Sequence, residues 1–293
     1  MLSSALMITA PILIAAIGGM ICERSGIVNI ALEGLMLIGA MTAAVIHVLL
    51  ETHIGFSIPL ALLLAAIAGC LFSLIHAFAS VTLKADQIIS GIGINLLTAG
   101  ITMFICQLIF RMDRTPNYRM GMRSAFGGIY PTIWVALLIL AVSWFMIYKR
   151  PWGLRLRACG EHPQAAVSAG INVENLRYAA VLISGLLAGL AGGCLVLTQD
   201  IQFTSSAING KGFIALAALS FGKRLPLGLL AASLLFGFSA SFAVNIVNIN
   251  LFQFLPSEAF SMMPYIITLL SLVLFYRRTT SVLPKPPSSG LAK

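Results

Sequence analysis

KRPWGLRLRACGEHPQAAVSAGINVENL, residues 149–176, is the longest polar interval in a chain that is otherwise almost continuously apolar. It opens with four basic residues, Lys149, Arg150, Arg155 and Arg157, passes through Gly160, and then carries the signals of a short helix. Pro163 suits a first helical position, where its fixed φ helps and its missing N–H has no partner to lose. Gly170 suits the residue just past a helix end, which takes a left-handed conformation. Between them Ala165, Ala166, Val167 and Ala169 make a small, mostly apolar two-turn element. Asn172 then caps a new helix, with Glu174 near its positive end. The interval therefore reads as helix end, short lateral helix, new helix start, lying on a membrane surface between two spans.

The flanking composition supplies the membrane. Hydrophobic residues make up 59% and charged residues 9%, and the mean hydropathy is +0.99, far outside soluble globular usage. A net charge of +9 raises the question of nucleic acid. The basic residues are dispersed between apolar runs, however, with no fold that presents a groove reader, so they read as topology signals and nucleic acid is excluded as a partner. Cys22, Cys70, Cys106, Cys159 and Cys194 stand singly with no C-x-x-C pair. They read as small core residues with no metal or disulfide framework. The apolar run from Ala5 to Cys22 has no Lys or Arg before it, unlike a cleaved signal peptide, and is expected to be a retained first span.

A bilayer core about 30 Å thick takes roughly 20 helical residues to cross. The expected spans are 5–21, 30–50, 58–79, 88–110, 132–148, 177–197, 212–222, 227–247 and 263–276. The fold class is thus an all-α polytopic membrane protein with eight to ten transmembrane helices, nine fitting best. The seventh span is short and reads as a half-helix packed inside the bundle, where protein surrounds the break. Residues 1–278 read as one transmembrane domain around the 149–176 loop, and 279–293, with PKPPSSG, reads as a disordered tail.

With the C-terminus inside, Arg24, Lys84, Lys149, Arg150, Arg155, Arg157, Arg177, Lys223, Arg224, Arg277, Arg278, Lys285 and Lys293 fall on the cytoplasmic side, thirteen of eighteen. Arg111, Arg114, Arg119, Arg123 and Lys211 fall outside. Nine crossings then place the N-terminus outside. In the sixth span Gly185, Gly189 and Gly193 recur every four residues on one face, which predicts a close helix crossing.

Catalytic motifs are missing. There is no phosphate-binding G-x-x-x-x-G-K-[ST] and no H-E-x-x-H, so the chain is not read as an enzyme and no cofactor is implied. His47 and His76 read as hydrogen-bonded packing residues. Intramembrane polar groups are the better leads, because burying a charge in a bilayer is costly. Glu33 lies inside the second span with Asn29 four residues before it on the same helical face, and Gly26 and Gly34 allow the helix either to break or to approach a neighbour. Asn95 and Asn245 are further neutral hydrogen-bonding groups within spans, suited to a neutral, hydroxyl-rich substrate. The outer loop 111–131 gathers Arg111, Arg114, Arg119 and Arg123 around one acid, Asp113. Such a loop is either simply solvated or a dock for an acidic protein face.

The run GLRLRACGEHPQAAVSAGINVENLRYAAVLISGLLAGLAGG resembles the cytoplasmic coupling-loop region of ABC importer permeases for simple sugars, nucleosides and branched-chain amino acids. ERSGIVNIALEGLMLIGA, residues 23–40, is similar to the N-terminal signature of the nucleoside and simple-sugar branch. The resemblance covers roughly residues 18–45 and 150–195. It implies an inner-membrane permease subunit that forms the pathway for nucleosides or simple sugars, working with a separate ATPase, a second permease and an extracytoplasmic binding protein. It places Asn29 and Glu33 near the substrate route, although Glu33 could instead pair with a helix N-terminus or an Arg and hold the bundle together. It assigns ATPase coupling to Gly160, Glu161, His162, Pro163, Ala165, Ala166 and Gly170. The alternatives are a branched-chain amino acid permease and an ion-coupled secondary transporter, but no second copy of the 23–40 stretch is seen, as inverted repeats would provide. A scaffold subunit indifferent to Asn29 and Glu33 is the remaining rival.

Overall fold

The computed structural model describes residues 2–124, 128–247 and 266. Its helices are α1 (Leu2–Arg24), α2 (Leu32–Leu50), α3 (Ser57–Ala77), α4 (Gln87–Phe110), α5 (Pro131–Lys149), α6 (Pro151–Glu161), α7 (Pro163–Ser168), α8 (Val173–Gln199), α9 (Lys211–Phe221) and α10 (Pro226–Val247). Among the described residues seven helices are long and apolar enough to cross a membrane, and α9 is a shorter apolar helix. The expected ninth span, apart from Ile266, and the 279–293 tail lie outside the described residues.

Boundaries follow local chemistry. Asp86 caps α4, its carboxylate accepting from the Ile88 and Ile89 amides, and Asn172 caps α8 by accepting from Asn175. Pro131, Pro151 and Pro163 open α5, α6 and α7. Gly170, at φ +77°, ends α7. The 149–176 interval thus holds the short lateral helix expected after Pro163, and one more helix, α6, where a basic loop was expected. Beneath the charges of α6, Gly153, Leu156 and Cys159 are buried at every third residue.

In the middle lie α1, α2 and α8, largely buried, while α3, α4 and α5 turn apolar faces outward, as at Leu71, Leu96 and Leu138. Close approach depends on small residues. Gly185, Gly189 and Gly193 meet Gly69, Ser73 and Ala65 of α3, and a methyl on Gly189 would overlap the Ala65 carbonyl.

Two ends of the bundle are distinguished. At one, Ser3 Oγ donates to the Gly128 carbonyl beside the 111–130 loop. At the other, Arg24 Nη2 donates to Tyr148 Oη at 3.1 Å and to the Arg224 carbonyl at 2.7 Å, near α6 and the α9–α10 turn. Lys211, expected in an outer loop, instead begins α9 within the bundle and is half-buried; the chain re-enters between α8 and α9.

Candidate functional site

Residues 25–31 leave α1, run without helical hydrogen bonding into the bundle, and start α2 in its interior. Backbone stripped of water must find protein partners at this depth. Five side chains supply them. The Val28 N–H donates to Gln87 Oε1 at 2.7 Å and the Val28 carbonyl lies 3.2 Å from His76 Nε2. Asn95 accepts from the Gly34 amide at 2.8 Å and donates to the Ile30 carbonyl at 3.0 Å. Asn29 accepts from Ala31 and donates to Ser184 Oγ at 2.9 Å, and Arg177 donates to the Ser25 carbonyl. Asn95 therefore caps α2 from another helix.

The second break, residues 200–210, ends at α9. Eleven residues at about 1.5 Å each give about 16 Å, half of a roughly 30 Å hydrocarbon core. At its N-terminus Glu33 accepts the Gly210 N–H through Oε1 and the Gly212 N–H through Oε2, both at 2.7 Å. The carboxylate thus satisfies amides that have no partner within α9 and sits at the positive end of its dipole. Gly212 is required by the contact, since a Cβ there would lie 2.5 Å from Glu33 Cα. Asn29, Glu33 and Asn95 come together at the two breaks, each committed to protein hydrogen bonds. Asn245 is in α10, and its side chain lies outside the described residues.

At the far end of α1, Gly26 (φ +88°) lies against Gly160 of α6, and a Cβ on Gly160 would overlap the Arg24 carbonyl and come 3.1 Å from the Gly26 nitrogen. The coupling candidates divide by direction. Ala166 is buried against Cys159 and Val173, while Gly160 and Pro163 are half-buried. Glu161, His162, Ala165 and Gly170 are exposed. Burial pushes the Cys159 thiol up, with Arg177 opposing, so this cysteine is a neutral packing group.

The four arginines of the 111–130 loop do not form one patch. Arg119 and Arg123 line a cavity of about 650 Å³ with His47, Glu51 and Ser57, and Glu51 accepts from the Arg119 amide at 2.9 Å. Arg111 borders a separate depression with Gln107 and Asp113, and Arg114 lines neither of these hollows.

The family described as branched-chain amino acid transport system / permease component matches residues 1–272. The guanosine ABC transporter permease protein NupQ of Bacillus subtilis is 43% identical over 98% of this chain and 93% of that one. The nucleoside ABC transporter permease protein NupC of Lactococcus lactis subsp. cremoris is 38% identical, over 92% of this chain and 90% of that one. The chain belongs to this permease family. A metal-chelate type ABC transporter in an inward-facing conformation shares the fold, with a TM-score of 0.55 at 15% identity over 94% of this chain and 85% of that one. The chain is accordingly a multi-pass permease subunit of an ABC importer, a partner to a separate ATPase subunit.

His76, read as a hydrogen-bonded packing residue, is one, but sequence reasoning about this permease missed Gln87, Ser184 and Arg177, which also brace the first break. Their signal was faint: each is a lone polar residue in or beside a span, and only the fold shows that all three, with His76, point at residues 25–31.

Proposed function

We propose that this permease carries nucleosides across the bacterial inner membrane, as one of two permeases that together form the pathway. The reading rests on similarity to permeases named for guanosine and nucleosides. The observation that carries the mechanism is the contact between the two interrupted helices, Glu33 on Gly210 and Gly212, because it links α2 to a half-helix whose following turn is held by Arg24 at the end of α1. Asn29, Glu33, Asn95 and Asn245 belong to the substrate route. The first three shape it by holding the breaks open, with their own hydrogen bonds already engaged.

In this reading α6 and α7 face the cytoplasm and the 111–130 loop faces outward, which puts the N-terminus outside and the C-terminus inside. ATP binding closes the ATPase pair against Glu161, His162, Ala165 and Gly170. Gly160, resting on Gly26, passes the displacement to the first break. Coupling requires that the ATPase bind one permease state better than the other. An extracytoplasmic binding protein delivers substrate at the outer end, its acidic face meeting Arg119 and Arg123, with Arg111 and Arg114 further out. Residues 1–278 act as one permease domain.

The test is co-purification with the ATPase, second permease and binding protein, followed by ATP hydrolysis across nucleosides, pentoses, hexoses and branched-chain amino acids. Stimulation by nucleosides alone is the expected result. Stimulation by any other class alone overturns the substrate assignment, and uptake persisting without ATP overturns the mechanism.

A further inference from the structure

A cavity of about 240 Å³ opens between α5 and the α1–α8 pair, lined by Ile21, Leu138, Val142, Met146 and Leu187 and roofed by Trp152 of α6. Its walls are apolar apart from Ser143. The α5 wall is outward-facing: Leu138, Val142 and Met146 are all exposed large hydrophobics. Helical periodicity continues this face through Leu138, Val142, Phe145 and Met146 to Lys149, which ends α5 between the crevice-lining Ile147 and Trp152 in the chain. Arg150 follows directly.

Both cations lean on the outward aromatic residues of the last α5 turns. Lys149 Nζ is 5.8 Å from the Trp144 ring centroid and Arg150 Cζ is 4.9 Å from that of Phe145. Trp144 and Phe145 are themselves exposed, so the arrangement has the form of an interfacial aromatic and basic belt. Among the described residues neither cation has a carboxylate within salt-bridge distance. Two unneutralised cations at the end of the helix that walls an apolar slot match one occupant in both charge and polarity.

We infer that this crevice holds one acyl chain of an anionic phospholipid whose phosphate is bound by Lys149 and Arg150. Basic pockets between helices at the cytoplasmic surface favour anionic headgroups, each nearby cation adding attraction. The acyl chain gains by filling a slot that would otherwise leave its wall atoms without partners. Because Trp152 roofs the crevice and also lines the hollow between α6 and the α7–α8 turn, the lipid braces α6 against the bundle from beneath. The inference does not depend on which substrate is carried.

The experiment is native mass spectrometry of the assembled transporter, released from nanodiscs of phosphatidylglycerol or of phosphatidylcholine. The expected result is one phosphatidylglycerol retained per copy of this chain, with no phosphatidylcholine counterpart. Lys149→Gln with Arg150→Gln, and separately Val142→Trp, which fills the slot, each lower retention at least fivefold, whereas Val142→Leu keeps it. Equal retention by wild type and all variants overturns the proposal, as does equal retention of the two lipids. Val142→Cys that crosslinks efficiently to a cysteine in the second permease or at Ile266 also overturns it, since the crevice is then filled by protein.

Discussion

Glu33 and Gly212 join the two interrupted helices: the carboxylate of one receives the amide hydrogen of the other at 2.7 Å, across 179 residues of sequence. With the Gly210 amide on its other oxygen, Glu33 is a cap supplied to α9 from the first turn of α2. Removing it leaves two amides with no acceptor in a water-poor interior. Each buried unsatisfied amide costs about 1–3 kcal/mol. Glu33→Ala is therefore expected to destabilise the assembled permease by about 2–6 kcal/mol and abolish uptake. Glu33→Gln, with one remaining acceptor, falls between wild type and Ala. Thermal unfolding of the purified complex decides, and an Ala variant as stable as wild type sinks the cap.

Gly160 has no room for a side chain. A Cβ there overlaps the Arg24 carbonyl, which is backbone and cannot swing away, so α6 must shift from α1. Overpacking of this kind costs about 1–3 kcal/mol. Gly160→Val is expected to leave the protein inserted but to cut substrate-stimulated ATP hydrolysis at least tenfold, with Gly160→Ala milder. Wild-type stimulation in the Val variant would show that α6 does not need this contact.

The division of the four arginines in the 111–130 loop gives a graded outcome. Arg119→Glu with Arg123→Glu places two negative charges on the cavity shared with Glu51, and like charges facing an acidic partner cost several kcal/mol. The apparent affinity for loaded binding protein should fall at least tenfold, more steeply at low salt. Arg111→Glu with Arg114→Glu, outside that cavity, should change it less. Uptake titrated with binding protein measures both, and equal effects would mean the whole loop acts as one charged surface.

Most of the spans were legible because a run of about twenty apolar residues has few other solutions. Val173–Gln199 and Gln87–Phe110, for example, fall within a few residues of the expected bounds. The short lateral helix was legible too, through Pro163, Gly170 and Asn172. α6 was not, since four basic residues dominated the reading and hid Leu156 and Cys159 spaced to bury one face. Lys211 was placed in a loop before the half-helix because nothing local to the sequence shows that residues 200–210 fold inward, so that Lys211 starts α9 half-buried. The partner of Glu33 was beyond reach: a helix N-terminus was one of the two partners weighed, but nothing local to residues 23–40 points to residues 210–212.

The surface of α6 and α7 separates residues that hold the element from residues that present it. Ala166 is buried against Cys159 and Val173, whereas Glu161 is exposed and Val167 is 61% exposed. A charged residue in place of Ala166 must unseat α7, so Ala166→Glu should lower the yield of assembled permease. Glu161→Lys and Val167→Glu have no such packing to disturb, because both side chains already face away from the bundle. If this face receives the ATPase, they should leave the permease in the membrane with normal thermal stability while loaded binding protein no longer stimulates ATP hydrolysis. Pull-down with the ATPase distinguishes lost docking from lost transmission: weakened capture means the face binds, and full capture without stimulation means it transmits. Full capture with full stimulation in both variants would place the ATPase on some other surface.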